Sequence, residues 1–184
     1  IYIMFIEKTD KETILKPLQV VIGIVERKQA LPILSNVLIE KEPGKIRFTA
    51  TDLEIQITTS IEGKAGDGET SAITVGGKKI QEILRILPDQ SKISIEAKEN
   101  KAQIKSAKSR FSLQTLPAQD FPKLSNQLAG AKKITLGQSA LKKLLLSVQY
   151  AMAQQDVRYY LNGVLLIVEG NKLKVVATDG HRLA

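Results

Sequence analysis

Apolar residues recur at spacings of three and four in three stretches of the chain: Ile14-Leu15-Leu18-Val21-Ile22-Val25, Ile80-Ile83-Leu84-Leu87 and Leu141-Leu144-Leu145-Val148-Met152. Each predicts an amphipathic helix. Thr9 with Glu12 reads as a capping box for the first, Gly76-Gly77 precedes the second, Pro88 closes it, and Ser139 caps the third. Pro17 falls inside the first helical stretch, where its missing N–H is tolerable only if the cap sits near Thr13. Between the helices the period falls to two, predicting strands at 2–7, 37–40, 45–51, 53–61, 71–75, 92–97, 102–107, 110–116, 133–136, 164–168 and 173–178. Glu42-Pro43-Gly44-Lys45, Glu99-Asn100-Lys101 and Glu169-Gly170-Asn171 supply hairpin-like turns. One strand precedes each helix and up to three follow it, so the repeating unit is βαβββ.

The pattern is duplicated at the level of residues as well. Ala50-Thr51-Asp52 returns as Ala177-Thr178-Asp179, an offset of 127 residues. At that offset Lys16 meets Lys143, Leu18 meets Leu145, Val21 meets Val148, Leu34 meets Leu161, Val37 meets Val164, Leu38 meets Leu165 and Lys45 meets Lys172, without a gap. Such a register preserves helix, loop, strand, turn and strand in order, which a chance tripeptide match does not. Neighbouring copies in a repeat architecture share surfaces, and one copy alone is incomplete.

The expected organisation is an α+β protein. Residues 1–124 form a first domain of two βαβββ units, 125–130 form a linker, and 131–184 begin the unit again. That third copy stops where the first continues into its 53–61 strand. An unpaired edge in the middle of a sheet is an aggregation liability, so residue 184 reads as a truncation of a longer protein. Met4 reads as the natural start, with Ile1-Tyr2-Ile3 as an upstream addition.

Composition narrows the chemistry. With 43% hydrophobic and 25% charged residues, the 184-residue chain has the balance of a globular protein with a substantial core. No apolar run reaches membrane-spanning length and the start resembles no signal peptide, so a cytoplasmic location without membrane association is expected. The absence of cysteine excludes disulfides and thiolate metal sites, and a single histidine excludes two-histidine zinc sites. Neither a cofactor nor a metal is expected.

A net charge of +8 favours a polyanionic partner, yet the basic residues form no tail. At 100° per residue, Lys16, Gln19 and Gly23 lie opposite the first apolar stripe, Lys78 and Arg85 opposite the second, and Lys143 opposite the third. A single lysine in such a place ordinarily just solvates an exposed face. Recurrence in successive repeats instead suggests a phosphate-attracting surface. Reading of base sequence is not expected, because aromatic residues are only 4% of the chain and no recognition element is evident. The exception is Tyr159-Tyr160, which follow Gln154-Gln155-Asp156-Val157-Arg158 in a loop; adjacent tyrosines leading into a strand are expected to divide into one buried and one exposed.

Asp52, Asp156 and Asp179 raise the alternative of a metal-dependent phosphodiesterase or nuclease. Two of them follow strands in duplicated positions, which is the place of a turn former. No Walker loop, nucleophile elbow or histidine pair accompanies them, so no enzyme is expected. A basic protein that binds nucleic acid from one face without encircling it is the other alternative.

Several motifs carry a resemblance: Leu31-Pro32-Ile33-Leu34-Ser35-Asn36, Ala50-Thr51-Asp52-Leu53-Glu54, Ser109-Arg110-Phe111-Ser112-Leu113 with Leu116-Pro117, Asp120-Phe121-Pro122, Gln155-Asp156-Val157-Arg158-Tyr159-Tyr160-Leu161-Asn162-Gly163 and Ala177-Thr178-Asp179-Gly180-His181-Arg182-Leu183-Ala184. In this order and spacing, from about Met4 to Ala184, they resemble the bacterial DNA sliding clamp, the β subunit of DNA polymerase III. The resemblance implies the DNA-clamp fold, with helices on one face and antiparallel sheets outside, and a head-to-tail homodimeric ring of three-domain subunits around duplex DNA. It implies a processivity factor that slides without sequence specificity and tethers DNA polymerase III, clamp-loader subunits and other proteins carrying clamp-binding motifs. By motif, Lys28, Gln155, Tyr159 and Tyr160 fall at family positions that touch DNA. Lys28 stands where the family usually has arginine, which keeps a phosphate-attracting charge and loses the bidentate fork. Leu161, Thr178, Gly180, His181, Arg182 and Leu183 match part of the pocket for partner peptides, although His181 by itself reads as a structural histidine. Lys108, Arg110, Phe111 and Leu113 match the dimer interface, with Lys79 added to the same basic cluster. That strand also reads as an edge protected by its charges.

Overall fold

The computed structural model describes residues 3–25, 31–63, 70–124, 130 and 133–184. Lys28 and most of the expected linker lie outside the described residues. The chain divides into two compact units, Ile1–Asn126 and Gln127–Ala184.

In the first unit the alternation of period two and period 3.6 becomes β1 (Ile3–Asp10), α1 (Lys11–Ile22), a 3-10 turn (Pro32–Ser35), β2 (Asn36–Glu42), β3 (Lys45–Thr51) and β4 (Gln56–Glu62). It then repeats as β5 (Ser71–Gly76), α2 (Gly77–Ile86), β6 (Lys92–Lys98), β7 (Lys101–Ser106) and β8 (Ser109–Leu116). The βαβββ unit therefore occurs twice, and the α+β class read from the pattern is the observed one. All pairings are antiparallel, in the order β1-β6-β7-β8-β5-β2-β3-β4. Each repeat gives its first strand to the other: β1 pairs with β6, and β5 pairs with β2.

One core follows from this exchange. Leu18 and Val21 of α1, Ile80 and Leu84 of α2, Val37, Ile39 and Phe48 of one set of strands and Ile93, Ile95 and Ile104 of the other form a single buried cluster. Side chains of this size each contribute about 1.5 to 3 kcal/mol on burial. The two halves of the sheet meet at a short seam, where β5 and β8 pair only through Thr74–Leu116 and Val75–Thr115. Buried Thr74 reinforces it: Oγ1 donates to the Leu116 carbonyl at 2.7 Å and accepts from the Leu116 amide at 3.1 Å and from Asn36 Nδ2 at 3.0 Å. A second tie is Lys11, only 4% exposed, whose Nζ donates to the Leu87 carbonyl and to Asp89, both at 3.0 Å. It places a cation just past the end of α2, where the helix leaves carbonyls unpaired.

Local signals at the helix ends misled. α1 begins at Lys11 after Asp10, with no side-chain cap, and Thr9 Oγ1 donates instead to the Glu7 carbonyl. Pro17 is thus well inside the helix rather than near its start; Thr13, four residues earlier, is exposed. α3 (Gln138–Val148) starts after Gly137, so Ser139 lies within its first turn and does not cap it. Met152, expected on this helix, lies beyond it, past a 3-10 turn (Gln149–Ala151). The expected 53–61 strand starts only at Gln56, because the residues before it form a turn.

The second unit continues through a 3-10 turn (Tyr159–Asn162), β9 (Leu165–Glu169) and β10 (Lys172–Val176). The expected 133–136 strand is absent. At the 127-residue offset it matches β1, which pairs with β6 in the first unit. β9 and β10 pair with each other around a small core of Val148, Ala151 and Ala177. Leu38 is 1% exposed on β2, whereas its counterpart Leu165 is 59% exposed.

Burial accounts for that difference, so Leu38→Ala is expected to cost about 2 to 5 kcal/mol and Leu165→Ala less than about 0.5 kcal/mol. Urea unfolding followed through amide signals of each unit checks this; equal losses would refute it.

Candidate functional site

The helices carry the basic residues outward. On α1, Lys16 and Gln19 are exposed opposite the buried Ile14, Leu18 and Val21, and Gly23 is exposed just past its end. On α2, Lys79 and Arg85 are exposed, whereas Lys78 is half-buried on the flank of the face. The centre of that face holds Glu82, an acid the charge pattern did not bring forward. On α3, Lys142 and Lys143 are both exposed.

At the edge, β8 bonds β7 along its length but β5 only at Thr115 and Leu116, so the outer side of its first six residues is unpaired among the described residues. Lys108 and Arg110 are exposed there, and Phe111 is half-buried against the core. Leu113, two residues on from Phe111 and so on the same face of the strand, is 8% exposed and packs on the core. Lys79 shares with residues 112–116 of β8 and Asn36 an open cavity of about 580 Å³.

The duplicated tripeptide builds the same turn twice. Thr51 Oγ1 donates to the Ile55 carbonyl and accepts from the Leu53 amide, while Asp52 Oδ1 accepts from the amides of Glu54 and Ile55 at 2.9 and 2.7 Å. In the second copy Thr178 Oγ1 donates to the Arg182 carbonyl and accepts from the Gly180 amide, and Asp179 Oδ1 accepts from His181 and Arg182 at 2.9 and 3.0 Å. Both aspartates are turn formers. These backbone donors, with the Arg182 guanidinium, hold the Asp179 carboxyl below the usual carboxylate range.

In the second unit this turn and the 154–163 loop border a polar cleft of about 630 Å³, which includes Tyr150, Gln155, Arg158, His181 and Arg182. Arg158 grips Asp156 with two nitrogens, Nε to Oδ1 at 3.0 Å and Nη2 to Oδ2 at 2.8 Å, and its amide donates to Oδ1 at 2.8 Å. Arg182 donates from Nε to Asp179 at 2.9 Å, with its guanidinium carbon 5.8 Å from the Tyr150 ring centre. Tyr159 and Tyr160 correct the expectation of one buried ring: they are 82% and 68% exposed, in an edge-to-face pair 5.9 Å apart. Gln155, His181, Arg182 and Leu183 are exposed, Gly180 is exposed at φ 88°, and Leu161 and Thr178 are half-buried. The cleft thus brings together Gln155, His181 and Arg182 from the expected residues and adds Tyr150, Asp156 and Arg158. Arg158 was detectable in the sequence only as the partner of Asp156 two residues away. Among the described residues, no group of three or more His, Cys, Asp and Glu is arranged to hold a metal ion, and no helix is long and apolar enough to cross a membrane.

The Arg158 side chain and amide lower the Asp156 carboxyl to about 2. The stabilisation from this pair is therefore fully present above the ordinary value of 3.8 and lost as pH falls through about 2. A carbon-detected NMR titration should show this midpoint, and Arg158→Gln should move it up toward 3.8; an unmoved midpoint would contradict the assignment.

Comparison with known proteins agrees with the geometry. Residues 5–125 match the family model of the DNA polymerase III beta subunit, N-terminal domain, and residues 135–184 match that of its central domain. The beta sliding clamp of Pseudomonas aeruginosa is 48% identical over 176 residues, which are 95% of this chain and 47% of that protein. That of Escherichia coli K12 is 42% identical over 175 residues, again 95% and 47%. The crystal structure of the Pseudomonas aeruginosa DNA polymerase III subunit beta superposes with a TM-score of 0.89 at 43% identity, covering all of this chain and 48% of that one. The chain spans about half the length of the curated relatives it matches. With both repeats of the first unit, the duplicated turn and these matches in agreement, the chain belongs to the DNA polymerase III beta subunit family, the beta sliding clamps.

Proposed function

We propose that this chain contributes to a ring-shaped processivity factor that encircles duplex DNA, slides along it and tethers DNA polymerase III and other replication and repair proteins in the cytoplasm. The observation that carries the reading is the outward placement of cations on equivalent helices, Lys16 and Lys143 at matching positions and Arg85 on the helix between them in the sequence. Cations that meet phosphates diffusely give every register along a duplex nearly the same energy, which favours sliding over sequence recognition. Gln155 and the paired tyrosines extend the proposed DNA contact, to which Lys28 and Lys78 belong by sequence.

The role is non-catalytic in this reading, since Asp52 and Asp179 are engaged by turn amides and Asp156 by Arg158. Leu161, Thr178, Gly180, His181, Arg182 and Leu183 are assigned to docking of short partner peptides, including those of clamp-loader subunits. The unpaired side of β8, with Lys108, Arg110, Phe111 and Leu113, is assigned to the joint of a homodimer, with Lys79 nearby; an open strand edge is a ready template for pairing with a second chain.

For a protein of the length of the relatives, retention on closed circular duplex after gel filtration is the expected result, lost when the circle is cut once. Equal retention on circular and linear DNA would favour one-sided electrostatic binding instead. In anisotropy titrations, Lys16→Ala or Lys143→Ala should each reduce the slope of log K against log salt by about 0.9 for a phosphate contact removed. The loss should be the same on unrelated duplex sequences, and a sequence-dependent loss would count against sliding.

A further inference from the structure

The two copies of the Thr-Asp turn share their hydrogen bonds and differ in what stands beside them. Where the second copy has Arg158 and Gly180, the first has Leu31 and Leu53 at the same offset. Leu53 has φ 80° and Gly180 has φ 88°, so this backbone carries a branched side chain in the first copy. Close approach supplies the further reason for glycine: a Cβ on Gly180 would lie 3.3 Å from Arg158 Nη1 and 3.4 Å from Nη2. The guanidinium lies against the turn, with Nη2 3.5 Å from the Asp179 carbonyl oxygen.

Asp156 reaches both sides of this arrangement. Its carboxylate holds Nε and Nη2 of Arg158. Its main chain is tied to Asn162, whose Oδ1 accepts from the Asp156 amide and whose Nδ2 donates to the Asp156 carbonyl, each at 2.9 Å. Asn162 ends the 3-10 turn that displays Tyr159 and Tyr160. The first copy has Ser35 where Asn162 stands, so this connection is a feature of the second copy.

We propose that Asp156 is a positioning residue that joins the tyrosine loop to the 178–183 turn, so that duplex DNA at the tyrosines and a peptide at the turn influence each other's binding. The coupling rests on the reading given under Proposed function; the positioning role rests on the geometry alone. A connection of this kind carries coupling when a single hydrogen-bonded element is shared by two sites. Asp156→Asn keeps the side-chain volume and removes the charge that holds Nε and Nη2 of Arg158.

The test uses the isotopically labelled chain and its Asp156→Asn, Asp156→Glu, Gly180→Leu and Arg158→Leu/Gly180→Leu variants. The Arg158 Nε–H should give a protected NMR signal that Asp156→Asn loses and Asp156→Glu recovers. Asp156→Asn should also shift the amide signals of both Tyr159–Tyr160 and Gly180–Arg182. Persistence of the Nε–H signal, or movement of only one group, overturns the positioning role. Gly180→Leu should lower the thermal midpoint and the double variant, which imports the first copy's pair, should recover it; a Gly180→Leu chain with an unchanged midpoint and Nε–H signal overturns the proposed packing. Adding a short duplex should shift Gly180–Arg182 signals in the parent chain and not in Asp156→Asn. If the duplex shifts the tyrosine signals alone in the parent, the coupling is refuted. If it binds nowhere, the DNA reading and the coupling fail together, while the Nε–H result still decides the positioning role.

Discussion

The exchange of first strands between repeats is the constraint on which the first unit depends. β1 completes the sheet of the second repeat and β5 that of the first, so neither repeat can bury its apolar face alone. The helices then close over a core drawn from both halves, and Thr74 bonds the seam where the ladder is too short to hold by itself. Lys11 ties the start of one helix to the residues after the other, which again crosses between repeats. Cooperative folding of the first unit follows from this topology, because a large part of its burial is non-local.

In the second unit no such exchange is seen among the described residues. β9 and β10 form a two-stranded ladder, and such a ladder contributes little stability without a covered face. Leu165, Leu166 and Val168 accordingly remain more than half exposed. What is well made there is local: the Thr178-Asp179 turn, the Asp156–Arg158 pair and the Asn162 ties close over short sequence distances. The residues assigned to function are thus held by local bonds more than by the unit's small core.

This division between local and distant contacts also explains what could be read in the sequence. Alternation along β3, β6 and β8 was legible because each strand sets one face against a core, and the Asp52 and Asp179 turns were legible because their partners lie two and three residues away. The start of α1 was not, since Thr9 offered a local capping signal while the buried place of Lys11 depends on Leu87 and Asp89, far along the chain. The strand expected at 133–136 had the right alternation and, among the described residues, no partner. Arg158 was legible in the sequence only beside Asp156, because its other contact is with a turn twenty-odd residues on and depends on the fold.

The charge on the helices bears on how a clamp of this kind stays mobile. A surface of cations alone would hold phosphates tightly, and each shift along the duplex would require several contacts to break together. Here Glu12 lies one turn before Lys16, and Glu82 stands at the centre of the α2 face between Lys79 and Arg85. These acids reduce the local potential, and screening confines what remains to roughly 8 to 10 Å at moderate salt. Weak, closely spaced attractions smooth the energy along the duplex, so in the proposed role retention comes from enclosure and the helices supply a shallow, nearly uniform attraction. In the same proposed role, Tyr159 and Tyr160 stand on a 3-10 turn rather than on a helix face, so a DNA contact there would leave the attraction along the helices unchanged.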